Sequence, residues 1–198
     1  MLMKTESKIR LASSSDEAEV LKLLQVMWKE NGWRPLDVDC ARTMFARAFD
    51  RKGGLLAVIG APGHIRAMMF LLLTCAWYTS EPHIEELFCW VHPEHRHSDY
   101  SKLLIEYAKK CSDDISADSG RKVPLLMGVL THKRMAAKVR MYRRFFGIPV
   151  GAFFVHNAPW IDKTDLAEED FWRVPSIASL FYRRSERSER KDKERARA

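Results

Sequence analysis

The sequence contains no run of about 18–20 uninterrupted apolar residues, the length a membrane-spanning helix needs, so no span is expected. It also lacks a leading basic, then apolar, then small-residue pattern that would direct secretion. The expectation is therefore a soluble, cytoplasmic protein. None of the four cysteines, Cys40, Cys75, Cys89 and Cys111, forms a C-x-x-C pair. Zinc ribbons and dithiol redox centres need such pairs, so reduced and mostly buried thiols are expected instead. Internal repeats and the stacking motifs of recognised nucleic-acid modules are also missing.

What the chain has is charge, core and periodicity. Its 198 residues fit one domain plus tails, and 46% apolar residues suffice for a sizeable core. The net charge of +7 is unevenly spread, because residues 183–198 hold eight Lys/Arg against four Asp/Glu and supply +4 of it. That segment lacks apolar periodicity and reads as a solvated, disordered tail. A single domain over residues 1–182 is expected, with its core at about 8–156 and an irregular extension at 157–182.

Periodicity orders the core. A short strand at 8–11 precedes a helix in which Ser14 and Glu17 have capping-box spacing and Val20, Leu23, Leu24 and Met27 recur at helical intervals. A second helix over 37–49 buries Met44, Phe45 and Phe49. Apolar runs at 55–59 and 65–78, joined by Ala61-Pro62-Gly63-His64, predict an antiparallel hairpin. A strand at 84–91 leads through Pro93 to Ser98 and Asp99, candidate N-caps for a helix with Tyr100, Leu103, Leu104, Tyr107 and Cys111 on one face. A loop at 112–121, a strand at 125–129, a helix from Thr131 to about Phe146 ended by Gly147, and a strand at 150–155 follow. This order implies a mixed sheet covered by helices.

The chemistry-bearing stretch runs from Glu85 to Ser101. An acidic pair on a strand, then a polar loop, then a helix start can set a general base beside an anion site. Val91-His92-Pro93-Glu94-His95-Arg96 followed by an amphipathic helix resembles the acetyl-CoA-binding motif of the GNAT N-acetyltransferase superfamily, in which the arginine opens an R-x-x-G-x-G/A loop. Arg96 matches the arginine, His97 and Ser98 the variable pair, Asp99 the first glycine, Tyr100 the spacer and Ser101 the last small position. The loop is thus glycine-poor, and Asp99 adds a Cβ and a negative charge where backbone meets pyrophosphate. Ala136, Ala137, Tyr142 and Gly147 resemble the family's later helix, with the Tyr–Gly interval one residue longer and the family's asparagine missing.

The resemblance covers roughly residues 8–156 and implies an α/β (α+β) fold with a mixed, mostly antiparallel central sheet flanked by helices. It implies acetyl transfer from acetyl-CoA to a primary amine on a small molecule or a protein. Glu85 is then the general base, Tyr142 the acid for the departing thiolate, and a backbone N–H of Trp90 or Val91 the polariser of the thioester carbonyl. Alternation along a strand sends Glu85 and Glu86 to opposite faces, so only one of them meets the acceptor. Acceptor grooves of this family put Trp28, Trp33, Arg34 and Trp160 nearby.

His92, His95 and His97, near Cys89, match no common metal-ligand spacing, so no metal is expected. Lys133, Arg134, Lys138, Arg140, Arg143 and Arg144 make a basic helix that reads as a solvated face or as a contact for phosphate or an acidic acceptor. Two other functions share these residues. One is a GNAT-fold binding or structural protein without catalysis, suggested by Asp99, Ser101 and the missing asparagine. The other is a nucleic-acid-directed acyltransferase of the kind some phages encode, drawn to phosphate by the basic helix and tail.

Overall fold

A computed structural model describes residues 9–151, apart from positions 33, 130, 132, 133, 148 and 150. The strand expected at 150–155, the extension at 157–182, the tail, Trp33, Lys133 and Trp160 lie outside the described residues. By its internal contacts the chain divides into two compact units, Met1–Thr131 and His132–Ala198.

The first unit is a five-stranded sheet in sequence order, β1 (Ile9–Leu11), β2 (Gly54–Ile59), β3 (Ala67–Cys75), β4 (Pro82–Val91) and β5 (Leu125–Leu126). All neighbours are antiparallel except β4 and β5, which are parallel. Helices α1 (Glu17–Asn31) and α2 (Val38–Phe49) pack on one face, and α3 (Tyr100–Ser119) lies against β3 and β4. The expected mixed, mostly antiparallel sheet flanked by helices is the observed one. Among the described residues no helix is long and apolar enough to cross a membrane.

The α1/α2 face of the sheet carries Leu56, Val58, Met68, Phe70 and Trp90, closed by Val20, Leu23, Leu24 and Met27 of α1 and Phe45 of α2. Phe45 is the hub, with ring centroids 5.7 Å from Phe70 and 6.4 Å from both Phe49 and Phe88. Aromatic rings at these spacings add edge-to-face attraction to the burial of their surface. The opposite parity of the same strands, including Ala57, Met69, Leu71 and Cys89, is buried as well. Leu104, Ile105 and Ala108 of α3 are fully buried.

Several boundaries differ from the sequence reading; the strand expected at 125–129, for one, is only Leu125–Leu126. The capping motif lies one residue early: the Ser13 N–H donates to Asp16 Oδ2 at 3.0 Å, while Glu17 pairs with Arg42. β3 ends at Cys75, so Trp77 and Tyr78 are exposed in the following turn. The expected loop at 112–121 is mostly helix: α3 runs to Ser119 and stops at Gly120, whose φ of 66° suits glycine. The hydroxyls of Ser116 and Ser119 donate to carbonyls one turn back, and Lys110 pairs with Asp114 at 2.7 Å, so a polar exposed face was mistaken for a turn. Thr131 caps no helix; its hydroxyl donates to Asn31 Oδ1 at 2.7 Å, and α4 begins at Met135.

Asp16 is 1% exposed and is gripped by the Arg10 guanidinium through bonds of 2.7 and 2.8 Å. The hydrogen bonds from Arg10 hold its carboxyl below the ordinary 3.8, against the opposing pull of burial. Because the native pKa is lowered, this stabilisation is complete above the ordinary value and is lost as pH falls through the native one. Replacing Asp16 with Asn leaves the half-buried Arg10 guanidinium without its counter-ion and is expected to cost about 2 kcal/mol in urea unfolding at neutral pH. The gap between wild type and variant should shrink below about pH 4.

Candidate active site

β4 is not a regular strand. Phe70 pairs with Phe88, but the next residue of β3, Leu71, pairs with Glu86, so Leu87 is an extra residue in a β-bulge. Above the bulge Trp90 and Phe88 share the α1/α2 face with Met68 and Phe70. Below it the parity is inverted: Glu85 pairs with Leu72, two residues from Phe70, and so joins that same face. Glu86 pairs with Leu71 and lies on the opposite face, with Ile84.

The two carboxylates have different surroundings. Glu85 is exposed. Glu86 is 7% exposed, and its Oε2 accepts from the Gly128 N–H at 3.3 Å, just past β5. Glu86 is therefore a tie between β4 and the segment after β5. Glu85 is the carboxylate that faces outward on the α1/α2 side.

β4 and β5 pair only at Ile84 with Leu125 and Glu85 with Leu126. From Glu86 to Val91 the β5-side edge of β4 carries no ladder partner among the described residues. The register also sorts the backbone donors. The His92 N–H donates to Arg66 O at 2.8 Å, so Trp90, two residues earlier and paired with Met68, turns its N–H to β3, while Val91 turns its own away. Of the two expected donors, only Val91 points toward the unpaired edge.

After β4, Pro93–His95 make a single 3-10 turn and α3 starts at Tyr100, with Asp99 in the N-cap position. The first helical bond is Leu103 N–H to Asp99 O at 3.0 Å. The Ser98 hydroxyl accepts from the Tyr100 N–H at 3.3 Å. No described residue accepts from the N–H groups of His97, Asp99, Ser101 or Lys102. Asp99 has φ of −89°, so the backbone here asks for no glycine. Its side chain is exposed and makes no capping bond, which corrects the expectation that it caps the helix. Tyr100 turns inward: it is buried, and its hydroxyl accepts from Arg66 at 3.2 Å.

Arg96 does not reach into solvent. Its guanidinium forms an ion pair with Glu30 at the end of α1 and donates to Val91 O at 3.4 Å. The Trp90 indole N–H reaches the same Glu30 carboxylate at 3.4 Å. Glu30 thus joins the α1 terminus, β4 and the loop, a role that nothing in its sequence context announced. The N-terminal half of this loop is neutralised locally, and its donors are backbone groups rather than a free cation.

In the second unit, Tyr142 is buried on α4 (Met135–Phe146), with its ring 6.2 Å from Phe146 in a T-shaped contact. Arg134, Arg140, Arg143 and Arg144 of the same unit are exposed and Lys138 is half-buried. In the first unit Trp28, whose indole N–H donates to Arg34 O at 2.5 Å, lines a pocket of about 290 Å³ with Gln25, Lys29, Leu36 and Val38. His92, Glu94 and His95 come together beside the loop, whereas His97 and Cys89 do not join them.

This architecture matches solved acetyltransferases. A possible acetyltransferase from Clostridium difficile superimposes with a TM-score of 0.59 at 17% identity, covering 75% of this chain and 95% of that one. The fold is that of the GNAT acetyltransferases. A ribosomal-protein-alanine N-acetyltransferase from Brucella melitensis gives 0.55 at 14% identity, covering 75% and 96%. An aminoglycoside 6'-N-acetyltransferase from Acinetobacter haemolyticus gives 0.54 at 16% identity, covering 78% and 99%. No family model matches the sequence, and no curated protein does. At 14–17% identity the likeness to these three structures is one of fold alone.

The bulge makes a separable prediction for the two carboxylates. Glu86→Ala removes a buried carboxylate together with its bond to the Gly128 N–H and should lower unfolding stability by about 1–3 kcal/mol. Glu85→Ala, at an exposed position, should change it by no more than about 0.5 kcal/mol. Paired urea titrations measure both.

Proposed function

We propose that the protein is an N-acetyltransferase that moves an acetyl group from acetyl-CoA to a primary amine of a small molecule or a protein. The observation that carries this reading is the run of open N–H groups at His97, Asp99, Ser101 and Lys102, set directly after the unpaired edge of β4. Such donors at a helix start suit a pyrophosphate, and the exposed Asp99 carboxylate accepts none of them. The residues present therefore fit the cosubstrate, with His97, Ser98, Asp99, Tyr100 and Ser101 as its loop. Arg96, held by Glu30, shapes that loop rather than meeting phosphate with a free charge.

Acetyl-CoA, when bound, supplies the acetyl group. The chain's own residues manage protons and polarity. An amine attacks only when neutral, and Glu85, exposed on the α1/α2 side, is the proposed acceptor of its proton, directly or through water. The Val91 N–H, turned away from β3, is the proposed polariser of the carbonyl, in preference to Trp90. Tyr142 is the proposed proton donor to the leaving thiolate. Trp28 and Arg34 border the acceptor side in this reading.

A second reading, a GNAT-fold protein that binds but does not catalyse, is favoured by two observations: the neutralised Arg96 and the negative charge of Asp99 beside the donors. Calorimetry and thiol release separate the two. Wild-type protein should bind acetyl-CoA and release free thiol with a suitable amine; no binding at millimolar ligand overturns the enzyme reading. Glu85→Gln should leave the dissociation constant unchanged and lower kcat by about a hundredfold or more. Asp99→Gly with Ser101→Gly should tighten acetyl-CoA binding several-fold, by removing about one unit of nearby negative charge. If that double variant binds where wild type does not, the non-catalytic reading stands.

A further inference from the structure

The turn between β4 and α3 holds a constellation that acetyl transfer does not use. His92, Glu94 and His95 each offer a ligand atom, and these atoms lie within 4.8 Å of one another. The turn itself brings them together. His92 is the N-cap of the 3-10 turn Pro93–His95, and residues three apart in such a turn eclipse one another, which stacks His95 over His92. Pro93 fixes φ at the first turn position, and the His95 N–H closes the turn on His92 O at 2.8 Å. His92 is anchored below by its own N–H bond to Arg66 O at 2.8 Å.

We propose that His92, Glu94 and His95 form a binding site for a divalent transition-metal ion of the zinc class, at the entrance to the 96–101 loop. Two imidazoles and one carboxylate are a borderline-soft donor set that favours zinc, cobalt or nickel over magnesium or calcium. Three protein ligands with a fourth position open to water is a recurring zinc arrangement. Bonds of about 2.1 Å in a tetrahedron put ligand atoms about 3.4 Å apart. Closing from 4.8 Å takes only side-chain rotation, and Glu94, whose side chain is 81% exposed, is free to make it.

The surroundings orient the rings. The Trp90 indole meets the His92 ring edge-on at 5.7 Å, and the Tyr100 ring lies 6.0 Å from His95. The His92 and His95 ring centroids are 5.9 Å apart at a 51° tilt, and the Glu94 N–H donates to His92 Nδ1 at 3.4 Å. Sequence spacing had argued against a metal here, because the three histidines alone match no framework. The geometry replaces His97 with Glu94.

The test uses chelator-treated full-length protein and metal alone. Calorimetric titration with zinc should give one site, and cobalt should give d–d absorption without a thiolate charge-transfer band. Loss of outer-shell partners alone typically weakens metal sites by about 10–100-fold, so His95→Ala should weaken zinc binding at least that much. Glu94→Gln, at an exposed position, should weaken it without disturbing the fold, as read by circular dichroism. His64→Ala, at an exposed histidine outside the cluster, should change nothing. Equal binding by wild type and both cluster variants, no binding at all, or a thiolate band from the exposed Cys40 or Cys75 would overturn the site.

Discussion

The extra residue at Leu87 is the constraint on which the candidate site depends. Phe88 is held on the α1/α2 face by Phe45 and Phe70, with the Phe70 and Phe88 rings at 6.0 Å, and Ile84 is held on the other face by burial. A regular strand would place residues 84 and 88 on one face, since they are four apart. Both anchors can be satisfied only if one residue is added between them. The bulge is therefore the local answer to two core demands, and the exchange of faces between Glu85 and Glu86 follows from it. The same distortion coincides with the end of β4–β5 pairing, which leaves the β5-side edge of β4 without a ladder partner from Glu86 on among the described residues.

This explains why the order of elements was legible in the sequence and the aim of the acidic pair was not. Alternation showed that Glu85 and Glu86 part company. It could not show which way each turned, because a bulge leaves no mark in a pattern of period two; Leu87 looks like any apolar strand residue. The same logic covers the other misses. Residues 112–119 form the mostly exposed end of α3, and polarity without glycine or proline is a weak stop signal. Gly120 was the true one. The Ser13–Asp16 motif was read one residue late because Arg10, six positions away, decides which acid is buried. The bulge and the Ser13–Asp16 cap lie where a tertiary contact overrides a local rule.

Glu30 shows the cost of reading a loop in isolation. By sequence, Arg96 is the arginine that opens the loop; in the fold its charge is shared with the last turn of α1 and the Trp90 indole. Two consequences follow. In the proposed reading, attraction for an anion at this loop rests on backbone N–H groups, which are oriented by α3 and do not depend on a mobile side chain. The end of α1 is also mechanically joined to the loop, so the side of the sheet that carries Glu85 and the side that starts α3 share one ion pair.

That junction bears on how far the fold reaches toward function. Solved GNAT folds superimpose on this chain although one is a ribosomal-protein-alanine N-acetyltransferase and another an aminoglycoside 6'-N-acetyltransferase. Those two proteins carry one fold with unlike acceptors, so fold alone assigns none here. What differs between such proteins must lie in side chains, and here those nearest the loop are unusual in charge. Arg96 is balanced by Glu30, Asp99 adds a negative charge, and Lys102 is drawn toward Glu106 at 3.8 Å. With little net positive charge fixed at the loop, any anion it holds must be recognised by the geometry of N–H groups. Geometry of that kind survives the loss of glycine, because Asp99 adopts an ordinary φ and keeps its carboxylate in solvent.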